Sequence, residues 1–254
     1  MYLDWSRTSN DYQKHRKGFP GQFFQRLAAL GVARPGLRIV DLGTGTGSVA
    51  LGLAEWGAEV VGVDVADRQI AAARQGAALR GVDATFTVAP AEATGLPPQS
   101  WDAVVAGQAW HWFERDAAAR EARRLLVPGG RLVIGHFDWL ERPGNIVDAT
   151  LDVVDAHRSA GGRGLTHSVL GTYPQWLRDL TLGGFSSVEC FSFDLEVPYS
   201  REGWRGRMRA SAWVGGTLDA ASIAAFDRDL AAMLDDGPEE LSVPHRVFVA
   251  HGTA

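Results

Sequence analysis

The sequence predicts an α/β protein: a doubly wound, mostly parallel, seven-stranded sheet with helical insertions after strands five and six. Three observations predict it. Short apolar runs alternate with helix-period segments through the first half, an alternation that requires a parallel sheet with helices on both faces. The run "IVDLGTGTGSVA" (39–50) passes from a strand through glycines at alternate positions into a helical pattern. Beyond residue 136 the strands are separated by long helical stretches, which read as insertions. With 254 residues, 46% hydrophobic and 22% charged, the chain has ample material for a core.

The elements follow in order. Residues 37–42 form strand one, buried on both faces by its composition. Residues 47–56 form a helix with Val49, Ala50, Leu53 and Ala54 on one face and Gly57 as its stop. Strand two, 58–63, reads "AEVVGV" and ends at Asp64. A helix over 67–80 takes Asp67 as its N-cap and Gly81 past its end. Strands three and four cover 84–88 and 101–106, and a helix rich in Ala, Arg and Leu covers 114–126. Val127-Pro128-Gly129-Gly130 carries the type II turn preference, Pro then Gly at the central positions. Strand five is 131–136. Helices over 146–157 and 173–182 precede strand six, 188–197. Helices over 200–211 and 219–234 precede strand seven, 243–251. No repeat, low-complexity tract or linker divides the chain, so one domain is expected over 1–254.

Composition narrows the partners. The net charge is −5, whereas a nucleic-acid binder carries a basic excess. The single cysteine, Cys190, excludes an intrachain disulfide and fits a reducing cytoplasm. The N-terminal segment is polar and lacks the apolar core of a signal peptide. No apolar run approaches the ~18 residues of a membrane helix. No His/Cys/Asp cluster has metal-ligand spacing, so no metal is expected.

The glycine loop admits two cofactors. Gly45, Gly47 and Ala50 satisfy the dinucleotide pattern G-x-G-x-x-A, whose glycines seat a pyrophosphate on a helix N-terminus. Gly43, Gly45 and Gly47 following Asp41 equally fit a loop that passes under a nucleoside bearing no pyrophosphate. A bare tight turn that binds nothing is disfavoured, because alternate glycines cost backbone entropy. Asp64 suits ribose hydroxyls in both cases and does not decide between them.

Later segments do. "VAPAEATGLPPQSWDAVVAGQAWHWF" (88–113) and "RRLLVPGGRLVIG" (123–135) stand in order after "VDLGTGTG" and "VGVD". Together these four motifs resemble those of the class I S-adenosylmethionine-dependent methyltransferases, in their small-molecule, ubiquinone-biosynthesis-like subgroup. "DYQKHRKGFP" (11–20) resembles a segment that precedes the domain in some small-molecule members. The resemblance implies a Rossmann-like sheet and S-adenosylmethionine as cofactor, leaving as S-adenosylhomocysteine. It also implies in-line methyl transfer to an O, N or C atom of a small molecule, with no nucleic acid or membrane partner. A nicotinamide-dependent oxidoreductase remains the alternative, as does a cofactor-binding protein of this fold that transfers no methyl group. The expected organisation is an N-terminal helical lid (1–36), a cofactor-binding half (37–136) and substrate-side insertions (137–184 and 198–242).

The resemblance also implies roles. The loop Gly43, Thr44, Gly45 and Gly47 wraps the methionine part, with Asp41 ordering it from beneath. Asp64 and Val65 meet the nucleoside. Ala91 N–H or Glu92 contacts the adenine, Glu92 reading equally as an exposed loop carboxylate; Pro90 stands where many relatives have Asp and offers no N–H. The backbone of Gln108 lies near the cofactor amine. Tyr12 and Arg16 reach over the cofactor, Arg16 toward its carboxylate. Trp110 and His111 lie nearest the methyl-transfer site, whereas Trp112 and Phe113 read as core. His111 is one candidate base; His136, with Asp138 beside it, is the other. Among the insertion aromatics, Trp139 is a candidate substrate contact. Arg201, Arg205 and Arg209 share one helical face. They read either as a solvated face or, through Arg205, as an anchor for a substrate carboxylate or phosphate.

Overall fold

The computed structural model describes residues 17–158, 170–211 and 213–254. Helix α1 (Gly21–Ala29) comes first and buries Phe23, Phe24 and Leu27. Then β1 (Arg38–Leu42), α2 (Ser48–Glu55), β2 (Glu59–Asp64), α3 (Asp67–Arg80), β3 (Ala84–Val88) and β4 (Trp101–Gly107) alternate. A short 3₁₀ turn (Trp110–Trp112), α4 (Arg115–Leu125) and β5 (Leu126–Trp139) follow. The rest is α5 (Ile146–Ala156), α6 (Pro174–Leu182), β6 (Ser186–Ser200), α7 (Arg201–Arg209), α8 (Ala220–Asp235) and β7 (Glu240–Thr253).

The seven strands form one sheet in the order β3-β2-β1-β4-β5-β7-β6, and the pairings among β1 to β5 are parallel. Strand order reverses at β1, which lies between β2 and β4. In a doubly wound sheet, ligands bind outside the carboxyl ends of the strands at such a switch point. The loops that leave β1 and β4 are therefore the ones to examine.

Local chemistry explains the boundaries. Helix α2 opens on Gly47 at φ 86, a left-handed conformation that a glycine adopts without strain. It buries Val49, Ala50, Leu51, Gly52 and Leu53, more than the single face expected. A Cβ on Gly52 would meet Phe24 Cζ at 2.2 Å, so the two helices α1 and α2 approach closely there. Helix α3 spans the expected residues, but Asp67 is its first residue and Ala66 is at the cap. Asp67 thus acts on the helix dipole and caps no backbone donor. Gly81 ends it at φ 65. The Pro-Gly-Gly segment does not stand apart from strand five: β5 runs through it, with Gly129 at φ 81 and a register shift against Trp101 and Ala103.

The described residues fall into two compact units. One comprises 18–137, 170–193 and 247–254; the other comprises 17, 138–158, 194–211 and 213–246. In the first unit the core is built on Leu42, Val104, Ile134, Trp110, Trp176 and Phe248. In the second, α7 and α8 pack on each other, and Trp204, Met208, Phe226 and Leu230 are buried. No helix among the described residues is long and apolar enough to cross a membrane.

Candidate functional site

The loop after β1 is shaped by backbone. Gly43, Gly45 and Gly47 have φ values of 64, 55 and 86, all left-handed. A Cβ on Gly43 would lie 2.5 Å from Ala109 Cβ and 2.8 Å from Phe113 Cζ. The loop after β1 therefore rests directly on the turn after β4. Gly45 is the opposite case: a Cβ there meets nothing within 4 Å.

Two aspartates hold this loop. Asp41 is 1% exposed, and its Oδ2 accepts from the Thr44 hydroxyl at 2.7 Å and from Ala50 N–H at 3.1 Å. Its Oδ1 accepts no hydrogen bond. Burial pushes its carboxyl up to about 7, the hydrogen bonds from Thr44 and Ala50 pull it back, and the charge of Asp64 adds to the rise. Asp64 ends β2, half-buried, its Oδ2 accepting from Gly45 N–H and its Oδ1 from Ala66 N–H, each at 2.9 Å. Both oxygens are thus held in fixed directions. Val65 beside it is 57% exposed, an apolar side chain left in water at the end of the strand.

Ala91 is buried and Glu92 half-buried in the loop after β3. Glu92 has a partner that its sequence position did not announce: its Oε1 accepts from the N–H of Glu114, the cap residue of α4, at 2.9 Å. The same loop is anchored through Thr94, whose hydroxyl and N–H both donate to Glu121. Burial would raise the Glu121 carboxyl, but Arg124 and Thr94 outweigh it and bring it down to about 2.

The turn after β4 begins at Gln108, a non-glycine residue at φ 58, whose N–H donates to Gly135 O at 2.8 Å. Here the expected roles of two tryptophans are exchanged. Trp110 is 0% exposed and donates its indole N–H to Asp179 at 3.0 Å, so it is a core side chain with no face for a substrate. Trp112, expected in the core, is 55% exposed. Parity on a 3₁₀ turn explains this: residues two apart point to different sides. Between them His111 lies half-buried, its ring 5.5 Å from that of His136 at 74°. His136 is buried near the end of β5 and packs on Tyr173 at 4.6 Å and on Trp176 at 6.1 Å. The two candidate bases are thus neighbours, not rivals at separate places.

The other unit holds the remaining candidates. Asp138 Oδ1 accepts from Trp139 N–H at 2.9 Å and from Arg207 at 3.1 Å. The Arg207 guanidinium lies 4.4 Å from the Trp139 ring, a cation–π contact worth about 0.5–2 kcal/mol. Trp139 meets Trp204 and Trp213 edge-on. Arg205 is not available as an anchor: its guanidinium pairs with Asp227 through two nitrogens and with Glu202 at 3.1 Å. Arg209 pairs with the same two carboxylates, and Arg201 closes on Asp235 and the carbonyls that follow α8. This face is partly exposed and already paired: its guanidiniums are held by Asp227 and Asp235 of α8 and by Glu202 of α7 itself. Tyr12 and Arg16 lie outside the described residues.

Sequence reasoning missed Arg207 and Asp179. Arg207 was readable, since it stands two residues off the i, i+4 row of arginines and so faces the other way. Asp179 carries no local signal, because both its partners are more than 60 residues away in the chain. Among the described residues no group of His, Cys, Asp and Glu is placed to hold a metal.

Comparison with known proteins agrees with this geometry. A methyltransferase-domain family model matches residues 40–134. A demethylmenaquinone methyltransferase of Thermus thermophilus is 41% identical over 116 residues, covering 44% of this chain and 53% of its own. An uncharacterised methyltransferase of Mycobacterium bovis is 32% identical over 164 residues, 61% of this chain and 63% of its own. The chain thus spans between half and two thirds of these relatives' length. A solved structure assigned as a type II methyltransferase, from Anaeromyxobacter dehalogenans, superposes with a TM-score of 0.68 at 28% identity, covering 94% of this chain and 97% of its own. Over residues 40–134 the chain thus matches a methyltransferase-domain family model, and its sheet is similar to that of a solved methyltransferase structure.

Proposed function

We propose that the protein binds S-adenosylmethionine and transfers its methyl group to a small-molecule acceptor. The observation that carries the reading is the seating of the glycine loop on the turn after β4, at the switch point of the sheet. The residues present suit the cofactor. Open space over Gly45 admits a ligand against backbone, the Asp64 carboxylate offers two fixed acceptors for ribose hydroxyls, and Val65 offers an apolar face for a base. Asp41 Oδ1 offers a buried acceptor beneath the loop. Ala91 and Glu92 would border the adenine, and the Gln108 backbone the amine end.

When bound, the cofactor supplies an electrophilic methyl group on a sulfonium. The protein's own task is to align the acceptor for in-line displacement and to exclude water. No general base is needed for a nucleophile that carries no proton. For an acceptor that does, His111 takes the proton and His136 stands behind it. Imidazole suits that role because it changes charge near neutral pH.

Calorimetry with S-adenosylhomocysteine and with NADH tests the cofactor. Heat from the first and none from the second is expected; the reverse result overturns the reading. Transfer of radiolabel from methyl-labelled S-adenosylmethionine to a panel of small O-, N- and C-nucleophiles tests the reaction. Tight cofactor binding with no labelled product across the panel would favour a protein of this fold that transfers no methyl group.

A further inference from the structure

We propose that Asp179 is a positioning residue of this site: through the Trp110 indole it fixes the turn that sets His111 against His136. The inference rests on the reading of His111 as proton acceptor. Asp179 lies on α6 and is 3% exposed, so its carboxylate is out of water. A buried carboxylate requires donors. It has two, and both reach Oδ2: Trp110 Nε1 at 3.0 Å and Arg115 Nη1 at 3.1 Å. The Arg115 side chain is 40% exposed and neutralises from the rim, whereas Trp110 is fully buried. The residue after Trp110 is His111.

The turn needs such a clamp. It is three residues long, has no side-chain cap, and closes on Trp112 N–H to Ala109 O at 2.9 Å and Phe113 N–H to Trp110 O at 3.3 Å. Short 3₁₀ segments of this kind hold their shape poorly alone. The chain enters it through the left-handed Gln108, a conformation that persists only where surroundings enforce it. On one side Ala109 and Phe113 rest on Gly43. On the other, Asp179 holds Trp110. His111 lies between these two supports, so its place beside His136 depends on both. Misplacing a reacting group by about 1 Å can cost 100-fold in rate.

The test uses the full chain saturated with S-adenosylhomocysteine and histidine-selective NMR, with imidazole signals assigned through single His→Gln variants. A ring-to-ring cross-peak between His111 and His136 is expected in the wild type. It should be lost in Asp179→Leu, which has no acceptor, and in Trp110→Phe. For this cross-peak the double variant should match either single, because each single already deletes the Asp179–Trp110 hydrogen bond. Arg115→Gln should keep both the cross-peak and the wild-type affinity for S-adenosylhomocysteine. If Asp179→Leu fails to fold, Trp110→Phe carries the test, since it keeps an aromatic ring in the core while losing the N–H with part of the indole. A cross-peak retained in Trp110→Phe overturns the inference while leaving the methyl-transfer reading standing. A wild type that binds no S-adenosylhomocysteine defeats that reading, and the inference with it.

Discussion

Two stretches of the chain repeat one residue type at a fixed interval, and the two repeats mean different things. Gly43, Gly45 and Gly47 recur at every second position in the loop after β1; Arg201, Arg205 and Arg209 recur at every fourth on α7. The glycine interval equals the period of a strand, but these residues lie in a loop that forms no strand. It exists because the backbone is left-handed at each of the three positions. The arginine interval is the helix's own, and it places the three charges where α8 can answer them with Asp227 and Asp235. A repeat that follows the period of its element serves packing. A repeat that ignores it answers to something outside the element.

The contrast can be broken first within the glycine loop itself, where the largest effect is expected. Gly43→Ala drives a Cβ to 2.5 Å from Ala109 Cβ, a distance real side chains do not adopt. We expect a protein that folds poorly or not at all, seen as a lost cooperative transition in circular dichroism. Gly45→Ala meets nothing within 4 Å and pays only for its φ of 55, about 1–2 kcal/mol. It should fold and yet bind S-adenosylhomocysteine at least about tenfold more weakly by calorimetry, a loss of about 1.4 kcal/mol. Equal destabilisation of both variants would mean that Gly45, too, serves the fold.

This difference shows what the sequence could reveal. The order of strands and helices was legible because hydrophobic period is a local property: α3 and β3 cover the expected residues without error. The glycine loop was legible because backbone conformation restricts residue type. The roles of Trp110 and Trp112 were not, since one letter serves a core plug and an exposed indole equally, and only the partner distinguishes them. Arg205 failed for the same reason in reverse. Its spacing was correct, but Asp227, which holds two of its nitrogens, lies on another helix 22 residues away. Properties carried by one segment can be read from it; properties carried by a pair of distant segments cannot.

The next effect belongs to Asp41. Its carboxyl is raised from 3.8 to about 7 by burial, against the pull of its hydrogen bonds from Thr44 and Ala50. A raised folded value means that the folded protein keeps a proton that the unfolded chain has released. The resulting stability is fully present below about pH 4 and is lost as pH rises through about 7, a span worth on the order of 4 kcal/mol. The unliganded protein should therefore lose melting temperature across that window. Asp41→Asn cannot ionise and should flatten this dependence in thermal melts read at a series of pH values. An identical slope in the variant would show that other groups set it.

An effect smaller than that of Asp41 tests the arginine row. Arg205 is 25% exposed at its side chain and Asp227 20%, so the pair is partly screened by water. Asp227 also keeps Arg209, at 2.6 Å, when Arg205 is removed. Burial would raise the Asp227 carboxyl, but the two guanidiniums hold it below its ordinary value. Removing one of them leaves the carboxylate poorer but not unpartnered, so the cost should resemble a single charge-assisted hydrogen bond, about 1.5–3 kcal/mol. Arg205→Ala should lower the midpoint of urea unfolding accordingly. It should leave the affinity for S-adenosylhomocysteine untouched and, once an acceptor is in hand, leave its KM unchanged, since a guanidinium already holding two carboxylates has little left for a third. A raised KM with unaltered stability would reverse the assignment and make the arginine row, like the glycine row, answer to a ligand.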